Sequence, residues 1–201
     1  MSELIAFVHL GFRHITDLGA LDHILFLLAL AAIYRGSDWR DVLWVITAFT
    51  VGHSVTLALA VTGALQLPTR LIEFLIPCTI VATGLENILV RRRDRAPLRG
   101  GYRPVFAGVF GLVHGAGFAN YLQSLFVGSI FVPLLGFNAG IELGQLVVLG
   151  LAAVALAGLD WALARLRTPG ATPSVLRLRV VAVSAVVVVI AAEMAASRTP
   201  W

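Results

Sequence analysis

Six apolar stretches of helix length follow one another along this chain, at about residues 20–35, 42–65, 70–91, 103–127, 134–164 and 176–196. Arginines, or clusters of glycine, proline and small polar residues, separate them. An α-helix rises 1.5 Å per residue, so roughly 20 apolar residues cross a hydrocarbon core about 30 Å thick. Only 13% of the 201 residues are charged and 59% are hydrophobic, whereas soluble domains average about 25% charged residues. A globule of this size has too little interior to hide so much apolar surface. A disordered tail, a nucleic-acid-binding domain and an ordinary soluble enzyme are therefore excluded. The expected fold is all-α, a polytopic transmembrane bundle of six spans. A shorter apolar piece, about 3–15, precedes them and reads as a partial or re-entrant helix. Residues 16–20, TDLGA, suit the interruption after it. One transmembrane domain fills the chain: 1–19 as partial helix and break, 20–196 as six-helix core, 197–201 as tail.

All fifteen basic residues are arginine. Arg35 and Arg40 flank the first loop of the six-helix core. Arg91, Arg92, Arg93, Arg95, Arg99 and Arg103 fill the third, and Arg165, Arg167, Arg177 and Arg179 bracket the fifth. Those twelve fall on one side, against Arg13, Arg70 and Arg198 on the other. The positive-inside rule places the twelve in the cytoplasm and the protein in the inner (plasma) membrane. No basic residue precedes Arg13, so the first apolar piece lacks the positive flank of a secretory signal and is expected to persist. The one cysteine, Cys78, permits no intrachain disulfide and reads as a small packing residue.

Ionisable groups at membrane depth are costly and normally face the bundle interior. None of the five histidines lies in a cytoplasmic loop. His9 and His14 sit in the first piece, His23 follows Asp22 at the start of the first span, and His53 and His114 lie mid-helix. His53 and His114 are each about eleven residues from a cytoplasmic boundary, so they reach a common depth near the midplane and can share a ligand. Thr47, Thr50 and Ser54 follow a helical stripe near His53. Gly108, Gly111, Gly115 and Gly117 leave a bare surface around His114 for another helix. Asn138, Glu142 and Gln145 share one helix face, and Glu86-Asn87 lies toward the cytoplasmic end of the third span. Glu73, Glu193, Asp160 and His9 read as interfacial. A set of His, Asp and Glu without thiols suits a borderline divalent ion: nickel, cobalt or zinc.

Several blocks of this sequence resemble the second branch of the HupE/UreJ family of small membrane proteins. They are Gly11-Phe12-x-His14-Ile15 with Gly19-x-Leu21-Asp22-His23-Ile24-Leu25-Phe26, and Thr47-Ala48-Phe49-Thr50-x-x-His53-Ser54. Glu86-Asn87, Phe110-Gly111-Leu112-x-His114-Gly115-x-Gly117, and Gly136-Phe137-Asn138-x-Gly140-x-Glu142-x-Gly144-Gln145 complete the series. The resemblance covers about residues 9–150. It implies a nickel or cobalt permease, or an accessory in metal supply. It implies His14, Asp22, His23, His53, His114 and Glu142 as metal ligands; Asp17, Thr50, Ser54, Glu86, Asn87, Asn138 and Gln145 are read beside them as supporting polar groups. One departure stands out. Related nickel/cobalt permeases carry His-x4-Asp-His in an early helix, and here Asp17 replaces the first histidine.

The leading expectation is a metal permease or membrane metal-binding protein. Asp22 and His23 capture the ion, His53 and His114 hold it near the midplane, and Glu142 or Glu86 balances charge. An intramembrane zinc-type hydrolase, a haem held between His53 and His114, and a structural membrane subunit remain as alternatives. The expected partners are the lipid bilayer and the metal ion, with no nucleic acid, and there is room for a homo-oligomer.

Overall fold

The structure is a computed structural model that describes residues 3–19, 21–89, 102–125, 130–166 and 173–200. Every long element among them is a helix: α1 Glu3–Thr16, α2 Leu21–Ala31, α3 Trp39–Val61, α4 Thr69–Leu89, α5 Tyr102–Leu125, α6 Phe131–Arg165 and α7 Val175–Ser197. A single 3-10 turn, Gly36–Asp38, leads into α3. The expected helix ends mostly hold, because Pro68, Arg70, Pro133 and Pro173 punctuate the apolar runs where the chain turns.

Four helices are long and apolar enough to cross a membrane: α3 with its 3-10 lead, α4, α6 and α7. A fifth span results if α1 and α2, bent by 69° at their break, are taken together. The six-span expectation is thus met by four or five among the described residues. The first expected span, 20–35, differs most. Its helix is only 11 residues, about 16 Å at 1.5 Å per residue and half a bilayer core. Past Ala31 the chain unwinds yet stays buried at Ala32, Ile33 and Tyr34. Large apolar side chains face outward on α3 (Val51, Val55), α6 (Leu143, Leu151, Val154) and α7 (Val186, Val189), which suits lipid contact.

Three helix pairs dominate the packing: α1 with α6, α3 with α5, and α4 with α7. The first two run parallel and are joined by glycines. Gly108 lies against Ala48 and Gly115 against His53, and likewise Gly136 against Leu4 and Gly144 against Ile15. At Gly115 an added Cβ would stand 2.3 Å from the His53 carbonyl oxygen, and at Gly140 2.1 Å from that of Val8. Backbones this close exclude any side chain, as in membrane helix pairs built on small residues.

The arginines correct part of the topological reading. Arg91, Arg92, Arg93, Arg95, Arg99 and Arg167 lie outside the described residues. Arg103 and Arg179 do not remain in loops; both are buried. Arg179 donates through Nε to the Ala32 carbonyl (3.2 Å) and through Nη2 to that of Tyr34 (2.8 Å), while Nη1 pairs with Asp160. Asn87 Nδ2 adds a hydrogen bond to the Ala29 carbonyl at 2.7 Å. A helix end leaves its last carbonyls unpaired and carries partial negative charge. Arg179 and Asn87 satisfy that end of α2 from two other helices, which lets the chain unwind inside the bundle. Arg177 covers the carbonyls of Asn87 and Ile88 at the end of α4 in the same way.

Candidate metal centre

The bend between α1 and α2 folds His14, in the last turn of α1, back onto His23, in the first turn of α2. Their ring centroids are 4.6 Å apart. His53, from the middle of α3, completes the group. One ring nitrogen from each of these three histidines lies within 4.8 Å of the other two. Phe137 of α6 touches both His14 (5.6 Å) and His53 (6.3 Å), so the packing of α1 on α6 carries His14 to α3. Phe118 stacks on Phe137 at 5.2 Å and covers the His14 ring at 4.1 Å.

The nitrogens themselves are unusual. His14 Nε2, His23 Nε2, both ring nitrogens of His53 and His114 Nδ1 are buried without a hydrogen-bond partner. A buried polar group left unsatisfied costs about 1–3 kcal/mol. Such atoms on four neighbouring histidines need an explanation, and a cation held by one nitrogen each of His14, His23 and His53 would account for three of them.

Hydrogen bonding fixes two of the rings. Asp22 Oδ1 accepts from the His23 backbone N–H (3.0 Å) and lies 3.1 Å from His23 Nδ1. Asp22 Oδ2 lies 3.6 Å from Arg198, just past the end of α7. An ionised carboxylate only accepts, so His23 carries its proton on Nδ1 and turns a lone pair outward on Nε2. This carboxylate–histidine arrangement is how metal-ligating imidazoles are commonly oriented. Thr79 settles His114 similarly. Its one hydroxyl hydrogen goes to the Ile76 carbonyl (2.7 Å), so Oγ1 accepts from His114 Nε2 at 3.1 Å. The lone pair of His114 is then on Nδ1, one of the unpartnered atoms.

Three imidazoles, each with an unpartnered ring nitrogen, and a fourth beside them form a nitrogen-rich site, of the kind that takes zinc, nickel or cobalt. Comparison with protein families accounts for nearly the whole chain: residues 1–197 match the family model described as HupE / UreJ protein. The chain belongs to the HupE/UreJ family. Neither the curated proteins nor the solved structures gave a match.

In this HupE/UreJ chain the expected site residues separate into groups. His14, His23 and His53 come together, and His114 flanks them with its ring 5.4 Å from His23. Of the expected pair, His53 belongs to this triad and His114 stands beside it. A shared depth sets only the level of a residue: Gly115 abuts the His53 backbone, while the His114 ring meets Phe49 of α3 at 5.1 Å. Asp22 stands behind His23. Glu142 is half-buried and outside the three-histidine group, as is Asn138, whose Oδ1 is buried and unpartnered. Thr50 donates to Gln145 (3.0 Å) and Ser54 to the Thr50 carbonyl (2.6 Å), which ties α3 to α6. Asp17 is exposed and accepts from Gly19 N–H at 2.8 Å, shaping the break. Glu86 pairs with Arg103 and accepts from Tyr102, so its charge is already balanced away from the histidines. Asn87 serves the end of α2. Sequence reasoning missed Thr79, although Thr79, Thr83 and Asn87 form an i, i+4, i+8 polar stripe on α4. It also missed the phenylalanines that wall the site.

Proposed function

We propose that this HupE/UreJ protein binds one divalent transition ion of the nickel, cobalt or zinc class within the membrane. The ligands are His14, His23 and His53, with His114 Nδ1 as a fourth donor to the ion in passage. The ion is cargo, and the protein is a metal permease or a metal-supply accessory of the inner membrane, its arginine-rich loops in the cytoplasm. Asp22 orients His23 and contributes negative charge, and Glu142 offers a carboxylate on α6 beyond the triad. The observation that supports this reading is the convergence of one ring nitrogen from each of His14, His23 and His53 within 4.8 Å, amid buried imidazole nitrogens that lack a hydrogen-bond partner.

Titration of the purified protein with Ni²⁺, Co²⁺ or Zn²⁺ is expected to give one ion per chain. His53→Ala and the His14→Ala/His23→Ala pair should abolish it, while His9→Ala, on the exposed face of α1, should not. Vesicles carrying the protein should accumulate the ion, and the histidine variants should not. Unchanged stoichiometry in the triple His14, His23, His53 variant would refute the reading. Three nitrogens with an open position also match a catalytic zinc centre, which keeps the intramembrane hydrolase as a second reading. A resident catalytic ion would survive dialysis, whereas a transported one exchanges.

A further inference from the structure

Only one of the three clustered histidines reaches a surface. His53 is fully buried and His23 is 6% exposed, whereas His14 is half-buried and lines a cavity of about 610 Å³. Arg13 and Thr16 of α1, Asp17 and Leu18 of the break, and Phe118 of α5 also line it. The cavity exists because α1 stops at Thr16, so no further helical turn covers this flank of His14. The Asp17 carboxylate is held at the rim by its bond from Gly19 N–H, and Leu18 is 78% exposed.

Two sets of arginine contacts distinguish the ends of the bundle. The break leads within a few residues to Asp22, which faces Arg198 beyond the end of α7. Arg103, Arg177 and Arg179 gather at the other end, around the last turns of α2 and α4.

We propose that this cavity is the mouth through which the cation reaches the cluster, from the side opposite the arginine network. The inference rests on the metal-binding reading above. Asp17 is the first carboxylate the ion meets, and His14 is the ligand that receives it and hands it to His23 and His53. Size agrees with this role. Six water molecules fill about 180 Å³ at a liquid share of about 30 Å³ each. The mouth therefore admits a hexahydrated divalent ion, which sheds water only on reaching His14. The sealed faces of His23 and His53 offer no second approach among the described residues.

The test uses the full chain in lipid nanodiscs, with both faces open to buffer. Cys78 is first changed by Cys78→Ser, since it lies on α4 away from the cavity lining. Leu18→Cys or Ser37→Cys is then introduced and coupled to a bulky, membrane-impermeant maleimide; Ser37 is exposed at the arginine-rich end. Co²⁺ filling is followed by stopped-flow absorbance. The adduct at position 18 is expected to slow filling at least ten-fold while the final cobalt per chain stays unchanged. The adduct at position 37 should leave the rate unchanged. In an unlabelled chain at low salt, Asp17→Asn should slow filling several-fold and Arg13→Gln should speed it. Filling at the normal rate past the adduct at position 18, or equal slowing by the adduct at position 37, overturns the mouth alone. Failure of the unmodified chain to take up cobalt overturns the metal-binding reading and the mouth with it.

Discussion

Gly115→Ala is the most direct probe of how packing sets the metal geometry. The new methyl group would stand 2.3 Å from the His53 carbonyl oxygen and 2.9 Å from the His53 carbonyl carbon and Cα. Ordinary contact begins near 3.4 Å, so α3 and α5 must part by about 1 Å at the level of His53. All the clashing atoms are backbone, so no side chain can turn aside to absorb the strain. Overpacking of this kind costs about 1–3 kcal/mol of stability. The ligand geometry suffers as well, because metal–ligand distances hold to about 0.2 Å. Moving one ligand of three by several times that tolerance should weaken binding by about 10- to 100-fold, the range seen when the supports of a ligand are lost. Isothermal titration with Ni²⁺ or Co²⁺ measures the affinity, and unfolding in denaturing detergent the stability. Gly150→Ala is the control, since nothing lies within 4 Å of a Cβ placed there. Wild-type affinity and stability in Gly115→Ala, or an equal loss in Gly150→Ala, would refute the reasoning.

Three further outcomes are expected. Asp22→Asn removes the carboxylate behind His23 and should lower metal affinity by about 10- to 100-fold without changing stoichiometry, read by the same titration. Arg179→Gln strips the buried partner from Asp160 and from the carbonyls of Ala32 and Tyr34; it should destabilise the fold by about 3 kcal/mol in detergent unfolding. Because imidazoles must be neutral to bind metal, protons compete with the ion and occupancy should fall, never rise, on acidification. Equilibrium dialysis across pH 5 to 8 checks this, and occupancy that rises toward low pH would contradict nitrogen ligation.

The helices were largely legible in the sequence because apolar length and breakers decide them locally. The end of α2 was not, because it depends on distant partners. Arg179, some 147 residues away from Ala32, supplies the donors that let the chain unwind there. The identity of the buried histidines was legible for the same reason that they are costly: polar groups stand out against an apolar background. Their grouping was not. Helical depth says at what level His53 and His114 sit but nothing about rotation around each axis. Gly115 faces α3, and a neighbouring residue points about 100° away at 3.6 residues per turn. The His114 ring instead lies against Phe49 of α3 and bonds to Thr79 of α4, outside the three-histidine group. His14 reaches the site only because the α1–α2 bend and the α1–α6 seam bring it there, and both are tertiary.

The pairing of helices has a consequence for how the protein is made. Each of α1, α3 and α4 finds its main neighbour among α5, α6 and α7, so the early helices leave the ribosome before their partners exist. His14 precedes the end of α6 by about 150 residues. At roughly 5–20 residues per second, that leaves about 8–30 s of synthesis during which His14 lacks the Phe137 wall. Throughout that interval the nascent chain holds unshielded imidazoles, which any loosely held ion nearby can claim. The order of the helices thus leaves these imidazoles open during biogenesis, before the packing that later encloses them exists.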